Sequence, residues 1–201
     1  GQNHSVELLP NLDYLLRLAR TGREALRGLV VAKGPGSYNG LRVGLATAKG
    51  LALALGLPLV GISTLEVEAY SQGQISMPIC PIHAAGRGEV AWAIFQFRQG
   101  QLRRLEEEKI TGLDELALRI TRQTLFCGEL TPELAQELKA RLKAKVRISP
   151  PASNLRRAGF LAELGWHRLQ IGDADNPATL QPLYLRRPPI TVPKKLQGGA
   201  H

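Results

Sequence analysis

Gly34-Pro35-Gly36-Ser37-Tyr38-Asn39-Gly40-Leu41-Arg42-Val43-Gly44 is the stretch on which the reading of the fold turns. Leu29-Val30-Val31-Ala32 leads into it and is a short apolar run ended by a Gly-Pro-Gly break, the pattern of a buried strand feeding a tight turn. Ser37 or Asn39 supplies a cap for the next helix. That helix runs to about Leu55, with Gly56 just past its end. Leu59-Val60-Gly61-Ile62 follows as a second buried strand, and Thr64 is expected to cap a helix through about Tyr70. Leu8, Leu9, Leu12, Leu15, Leu16 and Ala19 recur at helical spacing and predict an amphipathic helix over Ser5–Arg20. Pro10 lies too deep in it for a first-turn proline, so a kink or a later start is expected. The order helix–strand–helix–strand–helix is an α/β pattern with parallel strands.

The helix after the turn is poor in side chains. Gly40, Gly44, Ala48, Ala52 and Gly56 fall four apart. Glycine inside a helix costs about 1 kcal/mol relative to alanine, so close approach of another helix is the economical reason for Gly44 and Gly50. That neighbour is either the Ser5–Arg20 helix or another subunit. The turn itself, Gly34, Pro35, Gly36 and Ser37, would bring backbone N–H groups toward a phosphate at a helix N-terminus. It lacks the lysine of a P-loop and the dinucleotide spacing. A turn that merely seats the helix is the plainer reading.

Beyond Gln74 the texture changes, and a boundary is placed at 74/75. Pro78–Ile82, Glu89–Arg98 and Leu102–Ile110 read as strands, and Leu113–Thr121 as a helix. Thr124–Cys127 is a strand. Thr131-Pro132-Glu133 opens a helix whose stripe is Leu134, Leu138 and Leu142. Val146–Ile148 is a strand, Ser153–Gly165 a helix, and the chain from Pro177 through Leu185 is extended. The division is therefore 1–74 for a first lobe, 75–187 for a second, and 188–201 for a flexible, proline-rich tail.

Formal net charge is +9 over 201 residues. Such a balance suits RNA or an acidic partner. Lys139, Arg141, Lys143, Lys145 and Arg147 are five bases in nine residues without an acid, a candidate contact to a phosphate backbone or simply a solvated face. Cys80 and Cys127 sit in apolar segments and read as buried free thiols, not a disulfide framework. The four histidines form no metal-spaced pair, and Gly-x-Ser-x-Gly is absent. No apolar run is long enough to span a membrane, and no secretory signal is visible, so the cytoplasm is the expected compartment. The chain opens Gly1-Gln2-Asn3-His4 with Met77 as its only methionine, so a natural start is expected upstream.

Taken together these residues resemble the TsaB family of tRNA threonylcarbamoyladenosine biosynthesis proteins. Gly34–Gly44 and Pro58–Leu65 match the family pattern, with Tyr38 and Asn39 standing for Phe and Thr. Arg87-Gly88-Glu89-Val90 and Pro182-Leu183-Tyr184-Leu185-Arg186 match further, as does His4-Ser5. The pattern departs at Ala84-Ala85-Gly86, where the family has an aspartate, and at Ala91, where it has a tyrosine.

The resemblance implies an α/β, two-lobed actin-like ATPase (ribonuclease H-like) fold, with the first strands of the N-terminal lobe missing from this chain. It also implies a non-catalytic accessory subunit of the complex that transfers threonylcarbamoyl to adenosine beside the tRNA anticodon. Its partners would be TsaD, TsaE and, through the complex, tRNA. No cofactor is expected on this chain; ATP and metal are expected on TsaD. The interface would use Leu8, Leu12, Leu15, Leu16, Gly40, Arg42, Gly44, Ala48 and Leu51, and isolated protein is expected to form a homodimer through the same helices. Two other classes fit the residues: a nucleotide-binding enzyme of the same fold (an ATPase, a transferase or a peptidase-like homologue), and a basic RNA-binding module.

Overall fold

The computed structural model describes residues 4–186, so the tail expected at 188–201 lies outside the described residues. The first part comprises α1 (His4–Leu18), β1 (Leu29–Gly34), α2 (Tyr38–Leu55), β2 (Leu59–Ser63) and α3 (Thr64–Tyr70). The second comprises β3 (Ile79–Gly86), β4 (Glu89–Arg98), β5 (Gln101–Gly112), α4 (Leu113–Arg119), β6 (Thr124–Gly128), α5 (Pro132–Leu142), β7 (Val146–Ile148) and α6 (Ala158–Gln170). The element types follow the patterning closely, because each strand is a short apolar run bounded by breakers and each long helix carries an apolar stripe.

β1 and β2 pair in parallel, with Leu29 opposite Leu59 and Val31 opposite Gly61. Parallel pairing requires a crossover, and α2 supplies it. Leu45 and Ala52 of α2 pack with Leu59 and Leu180 to form the small core of this lobe. The second sheet has the order β5-β4-β3-β6-β7. Its hairpin strands β3, β4 and β5 are antiparallel, while β6 and β7 join in parallel through helical connections. Both faces are covered, so successive residues serve different cores. Cys80, Ile82, Val90, Trp92 and Phe126 face α4 and α5, whereas Ile79, Ala93, Phe95 and Cys127 face α3. Cys80 and Cys127 therefore lie on opposite faces of adjacent strands, both buried and both free. The buried indole of Trp92 donates to Thr111 Oγ1 at 2.8 Å, which satisfies the one polar atom that this large side chain brings into the core.

Several local readings change. Pro10 does not delay the start of α1: the helix spans His4–Leu18 as one element with Pro10 inside it. Ser37, not Asn39, caps α2, accepting from Gly40 N at 3.5 Å. At α3 the capping position falls on Ser63, with no side-chain cap bond, and Thr64 is already helical. The helix expected over Ser153–Gly165 is displaced: Pro151–Asn154 form a single 3-10 turn, 155–157 are irregular, and α6 follows from Ala158. The cause is tertiary. Asn154 turns its Oδ1 to Gly128 N and Arg156 reaches Glu68 and Glu129, which ties this segment to β6 and α3 ahead of α6.

The chain also returns on itself. Residues 158–170 fall in the expected second lobe by sequence, yet α6 packs on β1 and β2. Gly165 permits this, since a Cβ there would lie 2.2 Å from Val30 Cγ2. Arg168 then reaches Gly61 O, Asp173 and Asp175, and its guanidinium pulls the Asp173 carboxyl below its ordinary value. The segment from Pro177 is less extended than expected: Asn176 closes a turn through Thr179 and Leu180 before the chain crosses β1.

Lys143 ends α5 at φ 51° and ψ −119°, a backbone conformation that disfavours any side chain. Its Lys143→Gly variant is expected to gain about 1 kcal/mol by removing that strain. Urea denaturation monitored by circular dichroism measures the gain, and a loss of stability would show that the lysine side chain outweighs it.

Candidate functional site

Three places foreseen from the sequence can now be located, and a fourth emerges. The first is the face formed by α1 and α2. Leu8, Leu12 and Leu16 are half-buried toward α2, whereas Leu9, Leu15 and Leu18 are mostly exposed. Leu15, expected on the same stripe as Leu8, thus points to the other side. On α2, Gly40 and Gly44 line an open groove of about 290 Å³ with Glu7, Leu8 and Asn11. Among the described residues, a Cβ at Gly44 or at Gly50 would meet nothing within 4 Å beyond the helix's own backbone. The bare positions are therefore not used for close packing inside the chain. The small-residue ridge does not stay on one face: Ala48 and Ala52 pack into the chain's own core. A four-residue repeat advances 400° on a helix of 100° per residue, so the line drifts by about 120° between Gly40 and Ala52. Leu51 is half-buried, and Arg42 is exposed with its guanidinium carbon 5.3 Å from the Tyr38 ring centroid.

The second place is the cleft between the lobes at the Gly-Pro-Gly turn, about 380 Å³ in volume. Gly34 has φ +109°, and a side chain there would press on Leu41 and on Leu183 O. Leu183 N donates to Lys33 O at 2.7 Å, and the rings of Tyr38 and Tyr184 lie 5.5 Å apart. The segment matching the sequence motif Pro182–Arg186 thus lies directly over the turn, and Arg186 pairs with Glu89. Of the turn residues singled out, Pro35, Gly36 and Ser37 line the cleft, but the Ser37 hydroxyl is engaged in capping.

The third place is the run of five bases, and it does not act as one patch. Arg141 is neutralised by Asp114 at 2.9 Å and Glu137 at 3.0 Å. Lys145 Nζ donates to Ile120 O, at 3.1 Å. Lys139, Lys143 and Arg147 remain exposed, on α5, just past its end and on β7.

The fourth, missed from sequence, is a buried ionic cluster where the lobes meet. Glu68 of α3 is 5% exposed and His83 of β3 is 3% exposed. His83 Nε2 donates to Glu68 Oε2 at 2.7 Å, and Arg156 Nε donates to Glu68 Oε1 at 2.9 Å. Arg156 Nη2 also reaches Glu129 Oε1 at 2.8 Å. Burial works against the Arg156 charge, but the hydrogen bonds and charges of Glu68 and Glu129 hold the guanidinium above its ordinary value. The signal was faint: His83 interrupts the buried run of β3, and a buried ionisable group requires a partner. Burial pushes the Cys80 and Cys127 thiols up, which leaves them as unreactive core side chains. Among the described residues, no three His, Cys, Asp or Glu side chains converge as metal ligands, and no helix is long and apolar enough to cross a membrane.

These features can be set beside known proteins. The family model described as TsaD, tRNA N6-adenosine threonylcarbamoyltransferase, matches residues 1–187. The tRNA threonylcarbamoyladenosine biosynthesis protein TsaB of Bacillus subtilis (strain 168) is 34% identical over 188 residues, covering 92% of this chain and 80% of that protein. The chain belongs to the TsaB family. The TsaB of Escherichia coli (strain K12) is 34% identical over a shorter 98 residues, 47% of this chain and 42% of that protein. A crystal structure from Pseudomonas aeruginosa, described as an uncharacterized protein with similarity to peptidase YEAZ, superposes with a TM-score of 0.72 at 22% identity, covering 92% of this chain and 85% of that one. That last likeness carries the fold alone: the TsaB family member described here has the same α/β architecture. Its place is in tRNA threonylcarbamoyladenosine biosynthesis.

Proposed function

We propose that this TsaB-family chain is a non-catalytic accessory subunit that supports a TsaD-type transferase by docking through α1 and α2. One observation carries the reading. Gly44 lies bare on α2, with nothing of the described residues beyond the helix's own backbone within 4 Å of where a Cβ would stand. Beside it α1 exposes Val6, Leu9, Leu15 and Leu18, each more than half accessible. Glycine is costly in a helix, and an exposed apolar face marks an interaction surface. A partner helix set against the notch would use the missing side chains and cover the leucines. In this reading nucleotide and metal reside on the partner, and TsaE and tRNA join through the complex. The Gly34–Ser37 turn serves to seat α2. An isolated sample covers the same face by pairing with a second copy.

Ala48 packs on the chain's own core, so enlarging it would disturb the monomer, whereas Gly44 stands in open space. Gly44→Leu is expected to leave the circular dichroism and melting temperature of the monomer unchanged or raised, since a helix-interior glycine is replaced. It is expected to weaken pairing with a TsaD-type partner by at least about a hundredfold, as an overpacked interface costs several kcal/mol. Gly44→Ala serves as the graded control. Co-purification and analytical ultracentrifugation read both. Unchanged pairing by Gly44→Leu would remove this face from the interface.

A further inference from the structure

The bases of the second lobe gather by topology and not by their order along the chain. β3, β6 and β7 run parallel, so their first residues share one end of the sheet. β4, antiparallel to β3, finishes at that end and β5 starts there, with Gln96 opposite Arg103 and Arg98 opposite Gln101. Arg98 and Arg103 therefore flank the β4–β5 turn, and Arg119 and Arg122 come just before β6. Lys143, Lys145 and Arg147 come just before β7 or lie on it. All seven are exposed. Hydrogen bonds tie these connections to one another. Arg122 Nη2 donates to Gln96 Oε1 at 3.0 Å, Lys145 Nζ to Ile120 O at 3.1 Å and Gln123 Nε2 to Ala144 O at 3.4 Å. The cleft is elsewhere: its residues His83, Ala84 and Glu129 stand at the other ends of β3 and β6.

The four stretches that build this end, 73–78, 98–103, 119–124 and 142–147, contain no acid. Among the described residues none of the seven bases pairs with a carboxylate; their bonds go to amide oxygens. Glu106, which shares a depression of about 160 Å³ with Arg119 and Arg122, is already paired with Lys109 at 2.9 Å. The seven are drawn from 26 Lys and Arg, and the other 19 nearly balance the chain's 17 Asp and Glu. The positive surplus of the whole molecule is thus concentrated here.

Strands about 4.8 Å apart make a five-stranded sheet end about 20 Å wide, so the bases form a broad array and not a pocket. Such an array suits a polyanion with regularly repeated charges. Five of the seven are arginines, whose guanidiniums match phosphate geometry. The exposed amides of Gln99, Gln101 and Gln123 among them add uncharged donors of the kind that bind phosphate and sugar. No exposed aromatic side chain lies in the four stretches. The end therefore lacks the anchors of a protein hot spot or a membrane interface and the platform for stacking unpaired bases. We propose that this end of the second sheet binds the phosphate backbone of a folded RNA. The inference extends the proposed role, in which tRNA joins through the complex, by a direct contact from this chain. It uses neither the cleft nor α1 and α2.

The probe is a tRNA transcript titrated with the full chain, read by fluorescence anisotropy over a potassium chloride series. Binding is expected in the micromolar range at about 50 mM salt, with a log–log salt slope of about −3, as for roughly four phosphates. Arg98→Gln, Arg119→Gln and Arg147→Gln remove exposed charges that make no bond within the described residues. Combined, they are expected to weaken binding at least about tenfold and to flatten the slope by about 2, with the melting temperature unchanged. Arg23→Gln, Arg87→Gln and Arg157→Gln, also exposed, remove the same charge elsewhere and are expected to change affinity less than about twofold. Equal loss in the two triple variants would mean attraction by net charge without a site, and would overturn the proposal. So would absence of binding at the lowest salt. Tighter binding to polyglutamate or to phosphatidylglycerol vesicles than to the transcript would overturn it too, and would assign this end to an acidic protein or a membrane. Failure of RNA binding leaves docking through α1 and α2 standing, because the Gly44→Leu pairing experiment tests that separately.

Discussion

Gly128→Ala is expected to cost roughly 4 kcal/mol or more, about the sum of a strained backbone and an overpacked core position. Gly128 ends β6 at φ +94°, a region that L side chains rarely adopt. A Cβ there would lie 2.6 Å from Ile82 O and 2.7 Å from Glu68 Oε2. The first contact is with the backbone of the neighbouring strand and cannot be relieved by a rotamer change. The second strikes the carboxylate that both His83 and Arg156 require. Relief by moving β6 would break its parallel register with β3, where Cys127 sits opposite Pro81 and Gly128 opposite Ile82. Equilibrium urea denaturation measures the loss. A cost below about 1 kcal/mol would mean that β6 ends differently in solution. The contrast is Gly44→Ala, a glycine exchange of the same chemistry in open space, for which a stability gain is expected.

Arg156→Leu is expected to destabilise the protein by about 3 to 5 kcal/mol, the range for leaving one member of a buried ion pair uncompensated. The asymmetry of the cluster sharpens the expectation. The Glu68 side chain is only 6% exposed, whereas that of Arg156 is 52% exposed. Removing the arginine strands a carboxylate in the interior with only the bond from His83 left to it. Removing the acid instead frees a guanidinium that already has access to water. Glu68→Leu is therefore expected to cost less than Arg156→Leu, and the double variant less than the sum of the two. Denaturation of the three variants under one set of conditions completes the cycle. An Arg156→Leu loss no larger than that of Glu68→Leu would show that hydrogen bonding to His83, and not charge compensation, dominates the cluster.

Both expectations concern residues that a reading of local patterns passes over. Glu68 in Val67-Glu68-Ala69 resembles the solvent side of a short helix until α3 is laid against β3 and β6. His83 in Ile82-His83-Ala84 looks like one of four scattered histidines. Their meaning depends on partners 15 to 88 positions away. The helix expected at Ser153–Gly165 starts later for a related reason: Asn154 and Arg156 tie the segment before it to Gly128 and Glu68, partners far along the chain. Propensity is worth tenths of a kcal/mol per residue, whereas a buried charge left unpaired costs several.

The sequence by itself determined the α/β class, the strand that begins at Leu29, the helix that follows the Gly-Pro-Gly turn and is ended by Gly56, the Thr131-Pro132 helix start and the family, because caps, breakers and periodicity act over a few neighbours and are written contiguously. Only the tertiary structure decided that α6 rejoins the first sheet, that the small-residue line of α2 divides between an open notch at Gly44 and the core at Ala52, and that Glu68, His83, Glu129 and Arg156 meet. These are outcomes of long-range packing, in which the burial of one group sets the requirement for another far along the chain, and no local window contains both.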